Sequence, residues 1–146
     1  NFNPLSVYFN TAFDTIQNPN YFTQKNFFKN HKVVFNRIKD PIKGIKEGGG
    51  TKRFLIDEFF SARALPNFGL HLIGSGYDYR KLAEWFDLNG YNSPYLYSFL
   101  LIYLAEFGNE AIESSNLDDI GPHDHIADLL IFDILGKFLF MNDDTV

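Results

Sequence analysis

The chain reads as a mainly α protein. It predicts a compact bundle of short hydrophobic helices over residues 51–146, preceded by an irregular, aromatic and basic segment over residues 1–50. Three observations predict this. From Thr51 onward apolar residues recur at the three- and four-residue spacing of a helix face. Those runs are punctuated by helix stops and starts at Pro66, Asn89-Gly90 and Ser93-Pro94. The 146 residues suffice for one domain of ordinary size, whose core needs no disulfide or metal to hold it.

Taken in order, residues 1–30 mix Asn, Phe and Pro with no sustained period, so they read as short helices or extended lengths packed on something larger. Lys32 to Ile45 alternates briefly through Val33, Val34, Phe35 and Ile38 before Pro41, which fits a short strand or a helical turn. Gly48-Gly49-Gly50 is a tight turn or linker; neither a preceding strand nor a nucleotide fingerprint accompanies it, and no cofactor is implied. A first confident helix opens at Thr51 or Asp57, carries Phe54, Leu55 and Phe59, and stops at Pro66. After Asn67 a long run through Leu70, Ile73, Tyr77, Leu82, Trp85 and Phe86 ends at Asn89-Gly90. Ser93 caps the next helix, with Pro94 at its first position, and the helix continues through Ile112. An acidic loop follows from Asn116. The last helix begins between Pro122 and Asp124 and runs to Phe140.

The absence of cysteine excludes a disulfide framework, a thiolate nucleophile, an iron–sulfur cluster and Cys-built zinc sites. The formal charge of −5 conceals an asymmetry: residues 1–60 hold nine Lys/Arg against five Asp/Glu, and residues 61–146 hold four against thirteen. The basic first third, with Lys29, Lys32 and Arg37, matches an acidic partner, an anionic membrane surface or the chain's own second half. An acidic whole without a nucleic-acid motif argues against nucleic-acid binding. Aromatic residues make up 18% of the chain, as suits surfaces between water and an apolar phase. The longest uncharged apolar run, Tyr95 to Ala105, is far shorter than the roughly 20 residues of a spanning helix. With no signal-peptide pattern at Asn1, the chain reads as processed or truncated.

The chemistry-bearing residues lie inside the apolar runs. Glu106, Glu110 and Glu113 share one helix face, with Asn109 beside them; His71 is followed by Ser75 and Tyr79 one and two turns on. His123, His125 and Asp128 open the last helix, but Asp128 and Asp133 fall about 140° apart on an ideal α-helix. Three readings follow. The first is a structural polar network of His71, Tyr79, Arg80, Asn109, Glu110, Glu113, Asp128 and Asp133, in which His71 and Arg80 pair with Glu106, Glu110 or Asp128. Gly69, Gly74 and Gly76 would let a neighbouring helix come close. The second is acid–base catalysis with His71, Glu106 and Glu110 as candidates. The third is a metal site of Glu106, Glu110, His125 and Asp128, although no Glu-x-x-His pair is present.

The strings LPNFGLHLIGSGYDYRKLAEWF, NEAIE and HIADLLIFDILG resemble a group of uncharacterised bacterial envelope proteins with an H-x-x-G helix, a YR pair, an N-E-x-x-E segment and a D-x-x-x-x-D-x-x-G helix, often placed before an outer-membrane β-barrel. More distantly they resemble the small YfiM-type lipoproteins and VanZ-like membrane domains. The resemblance covers about residues 65–140 and marks His71, Gly74, Tyr79, Arg80, Asn109, Glu110, Glu113, Asp128, Asp133 and Gly136. It departs from the VanZ-like pattern in lacking helices of spanning length. It implies a helical module on the periplasmic side of the outer membrane and brings no reaction with it. The expected role is therefore an accessory or scaffold subunit docked on an outer-membrane or envelope protein, or lying at the bilayer surface. An envelope hydrolase acting on lipid or cell-wall material, or a carboxylate/His metal-binding bundle, is the alternative.

Overall fold

The computed structural model describes residues 2–13, 26–62, 64–113 and 122–142. Among them every regular element is a helix, as the apolar spacing predicts. The predicted acidic loop from Asn116 falls outside the described residues.

The described residues of the first third are more regular than their sequence suggests. Helix α1, Pro4–Ala12, starts with Pro4 in its first turn and is capped by the Asn3 side chain, which accepts from the Leu5 N–H at 3.0 Å. The segment predicted as a short strand or single turn forms two helices instead: α2, Phe27–Lys39, and α3, Pro41–Glu47. Pro41 separates them, and the Asp40 carboxylate accepts from the Lys43 N–H at 3.1 Å. The alternation of Val33, Val34 and Phe35 reflects an amphipathic helix, since Val34 is fully buried while Phe35 is exposed. Gly49 and Gly50 both adopt positive φ (106° and 89°), which turns the chain tightly into α4, Thr51–Phe59.

Three longer helices form the centre. Helix α5 runs continuously through Ala64–Pro66, Asn67–Gly74 and Ser75–Leu88. Pro66 is not the predicted stop. It lies in the first turn of α5, where its missing N–H has no helical partner to lose. Helix α6 spans Pro94–Glu113, and α7 runs through Pro122–Ala127, Asp128–Phe132 and Asp133–Phe140. The middle parts of α5 and α7 are wound in wider, π-type turns: the Ser75 N–H bonds the Leu70 carbonyl and the Asp133 N–H bonds the Asp128 carbonyl, each five residues back.

Helix α5 packs on both α6 and α7. Gly76 and Gly136 face each other at the α5–α7 crossing, where a Cβ on Gly76 would lie 2.7 Å from the Gly136 carbonyl oxygen. Of the three glycines expected to allow close approach, Gly76 alone touches another helix; Gly69 faces open space and Gly74 meets only the Gly69 carbonyl. The core divides into three apolar clusters, around Phe54, Ile126 and Phe132, around Leu82, Phe86 and Ile102, and around Val34, Ala111 and Leu129. Helices α1 and α2 lie against α6, and α2, α3 and α4 lie against α7. The first third thus closes over the same helices that carry the polar residues.

A buried carboxylate cluster around His71

The wide turns decide which side chains meet. In an α-helix Asp128 and Asp133 would diverge, but the five-residue hydrogen bond stacks one above the other and turns both inward. Glu106 and Glu110, four residues apart on α6, present a second pair from across the interface. His71, from the wide part of α5, stands between the two pairs.

The imidazole is held symmetrically. Its Nδ1 lies 3.6 Å from Glu106 Oε2 and 3.8 Å from Asp133 Oδ1; its Nε2 lies 3.7 Å from Asp128 Oδ2 and 3.9 Å from Glu110 Oε1. All five residues are buried. His71 Nδ1, Asp128 Oδ1 and Asp133 Oδ1 have no hydrogen-bond partner. Within this set the donor atoms of His71, Glu106 and Asp133, and those of His71, Glu110 and Asp128, each fall within 4.8 Å of one another.

Electrostatics follow from crowding like charges in a dry interior. Burial, then the neighbouring Asp133, pushes the Glu106 carboxyl up to about 8, against the opposing pull of His71 and Lys137. Burial and Asp128 hold Glu110 well above the carboxylate range, and burial does the same for Asp128 in spite of His71. For His71 burial disfavours the imidazolium, yet Asp128, Asp133, Glu106 and Glu110 together raise it well above the usual value.

Neighbouring residues orient the cluster. Lys137, one turn after Asp133, bonds Asp133 Oδ2 at 2.9 Å, and its ammonium lies 5.3 Å from the Phe99 ring centre and 5.7 Å from that of Tyr103. On the other side Arg37 of α2 donates from Nη1 to His125 Nε2 at 2.7 Å. Arginine can only donate, so His125 carries its proton on Nδ1 and donates it to Glu110 Oε2 at 2.5 Å. Burial, and then Arg37, lowers the His125 pKa to about 3. In ¹⁵N spectra His125 is therefore expected to keep the Nδ1–H tautomer through the physiological range, with its protonation midpoint near 3. Arg37→Met should raise that midpoint and cost about 1–3 kcal/mol, because the His125 acceptor loses its partner; an unshifted midpoint would contradict the assignment.

The structure brings part of the predicted set together. His71, Glu106, Glu110, Asp128 and Asp133 converge. Asn109 donates to the Thr11 carbonyl at 3.2 Å and borders a solvent-facing cavity of about 130 Å³ that reaches His71 and Glu106. Glu113 is half-buried and acts on Glu110 and Asp128 through its charge. Two members belong elsewhere. Tyr79 packs in the apolar cluster of Leu82, Phe86 and Ile102, its carbonyl accepting from Ser98 Oγ at 2.5 Å. Arg80 does not make the expected pairing with Glu106, Glu110 or Asp128: it bonds Glu84 at 2.8 Å and the Met141 carbonyl at 3.4 Å, because an i,i+4 carboxylate on its own helix is within easy reach. His125, expected as a metal ligand, has its ring nitrogens bonded to Arg37 and Glu110, and its donor atoms lie within 4.8 Å of those of Glu110 and Asp124. His123 bonds the Ile45 carbonyl at 3.1 Å and packs against Gly48, which ties α7 to α3.

Sequence reasoning did not connect Arg37 or Lys137 to the site. Lys137 was detectable as the only cation of the last helix, four residues after Asp133. Asp78, Asn10 and Thr11, which line the cavity with Ser75, carry no comparable signal. No family model, curated protein or solved structure matches this chain.

Proposed function

We propose that this chain is a divalent-metal-binding helical protein whose metal centre is built on His71, Glu106, Glu110, Asp128 and Asp133. One observation carries the reading: each ring nitrogen of His71 faces two buried carboxylates within 4 Å, while His71 Nδ1, Asp128 Oδ1 and Asp133 Oδ1 lack any hydrogen-bond partner. Four carboxylates taken out of water with so few cations beside them must bind either protons or a cation. Inward-facing carboxylate and imidazole donors from packed helices are the usual makings of a bundle metal site. Oxygen-rich donors with one imidazole and no thiolate favour zinc, manganese or ferrous iron over soft ions.

Protein purified without chelator is expected to contain divalent metal in stoichiometric amount by plasma mass spectrometry. Metal at 100-fold above its Kd should raise Tm by roughly 5–10 °C over the chelated protein. A metal-free preparation of equal stability would overturn the reading.

A second reading concerns location. No described helix is long and apolar enough to cross a membrane. Leu5 and Phe9 of α1 and Leu96, Leu100 and Leu104 of α6 are nevertheless all exposed, and an apolar groove of about 430 Å³ lies among Leu5, Tyr8, Phe86, Tyr97 and Leu104. Such a surface supports docking on a partner protein or a bilayer surface, and the accessory-subunit role at the envelope is proposed from it together with the sequence resemblance. A tagged chain should recover one stoichiometric envelope partner from native membranes in mild detergent, and Leu100→Asp should abolish the recovery. Unchanged recovery with that variant would remove this surface from the argument.

A further inference from the structure

We infer that the cluster holds two divalent cations, one on each ring nitrogen of His71, with the ring bridging them as an imidazolate. This rests on the metal reading above and assigns its stoichiometry and its division of labour.

The donors that include His71 fall into two triads rather than one. His71 Nδ1, Glu106 and Asp133 form the first, and His71 Nε2, Glu110 and Asp128 the second. The two nitrogens of an imidazole point away from each other, and a metal–nitrogen bond is only about 2 Å long. A single ion bound to one nitrogen therefore leaves the opposite carboxylate pair without a cation between them. Unpartnered atoms occur on both edges: His71 Nδ1 and Asp133 Oδ1 on one, Asp128 Oδ1 on the other.

On loading, the ring protons of His71 and any protons held by the four carboxyl groups pass to solvent as the metal–nitrogen and metal–oxygen bonds form.

The two positions differ in access. The Nδ1 edge meets the cavity lined by Asn10, Thr11, Ser75, Asp78 and Asn109, so its ion keeps a coordination position for water or another small oxygen donor. Behind the Nε2 edge stand His125 and Arg37, bonded in series to Glu110, so the inner ion is the sheltered one.

Zinc stoichiometry after equilibration with excess zinc and gel filtration tests the inference, with circular dichroism to verify folding of every variant. Wild type should retain two zinc ions per chain. Glu106→Gln with Asp133→Asn should retain one, and so should Glu110→Gln with Asp128→Asn. Loaded with copper(II), the wild type should give the weakened electron paramagnetic signal of two coupled ions. One zinc per wild-type chain, lost entirely in both double variants, would overturn the two-ion assignment and leave the metal centre standing. No zinc in folded wild type would overturn both. Should either double variant fail to fold, wild-type stoichiometry and the copper signal still decide.

Discussion

Gly136→Ala should abolish stable folding or lower stability by about 3 kcal/mol or more, the upper range for a forced overpacking. A Cβ at this position would overlap the Leu72 carbonyl oxygen and lie 3.1 Å from the His71 carbonyl oxygen. Both obstacles are backbone atoms of α5, so no side-chain rotation relieves the clash. The only relief is to move α7 away from α5, and the same movement separates Asp133 from His71. The gain in helix propensity, about 1 kcal/mol for Gly to Ala, is too small to compensate. Gly69→Ala is the matched control: nothing lies within 4 Å of its Cβ, and the substitution should be neutral or stabilising by up to about 1 kcal/mol. Urea denaturation of the two variants provides the comparison. Equal stability of Gly136→Ala and wild type would mean that the two helices do not cross as closely as described.

The second large effect is a loss of stability with rising pH in the metal-free protein. Glu106, Glu110 and Asp128 all have folded pKa values above their unfolded ones, Glu106 near 8 against 4.5. Over that interval the folded state binds more protons than the unfolded state, so stability falls as pH rises from about 4.5 through about 8. His71, also raised, adds to the same trend above its unfolded value of 6.5. His125 acts in the opposite sense: it stays neutral when folded, so it costs stability as pH falls from 6.5 towards 3. The chelated protein should therefore be most stable in mildly acidic solution and lose on the order of a few kcal/mol by pH 8, at about 1.4 kcal/mol per unit of pKa difference. Bound metal replaces those protons, so the loaded protein should show little of this alkaline loss. Denaturation midpoints measured from pH 4 to 9, with chelator and with zinc, separate the two curves. A flat profile with chelator would indicate that the carboxylates are not crowded as described.

The same residues show how far sequence alone reaches. Periodic apolar residues marked α4 to α7, and Asn89-Gly90 and Ser93-Pro94 marked the junction of α5 and α6, because caps and apolar stripes are local properties, whereas the stop read at Pro66 falls inside α5. The polar residues of the site were also visible, since charged groups inside apolar runs are rare enough to stand out. In the first third, by contrast, α1 and α3 are short, and the apolar stripe of α2, read over Val33 to Ile38 alone, covers too few residues to be told from a strand.

What the sequence determined by itself is a helical chain with costly polar groups in its core. Which of those groups converge was decided by tertiary structure, through two departures from regular geometry. The π-type turns realign Asp128 with Asp133 and set His71 between the carboxylate pairs, and an α-period reading of the sequence placed those aspartates 140° apart. The Gly76–Gly136 crossing then brings α5 and α7 close enough for His71 to reach Asp128 and Asp133. Spacing along one helix assigns a residue to a face; the meeting of faces depends on backbone winding and interhelix distance, which are set by contacts remote in sequence.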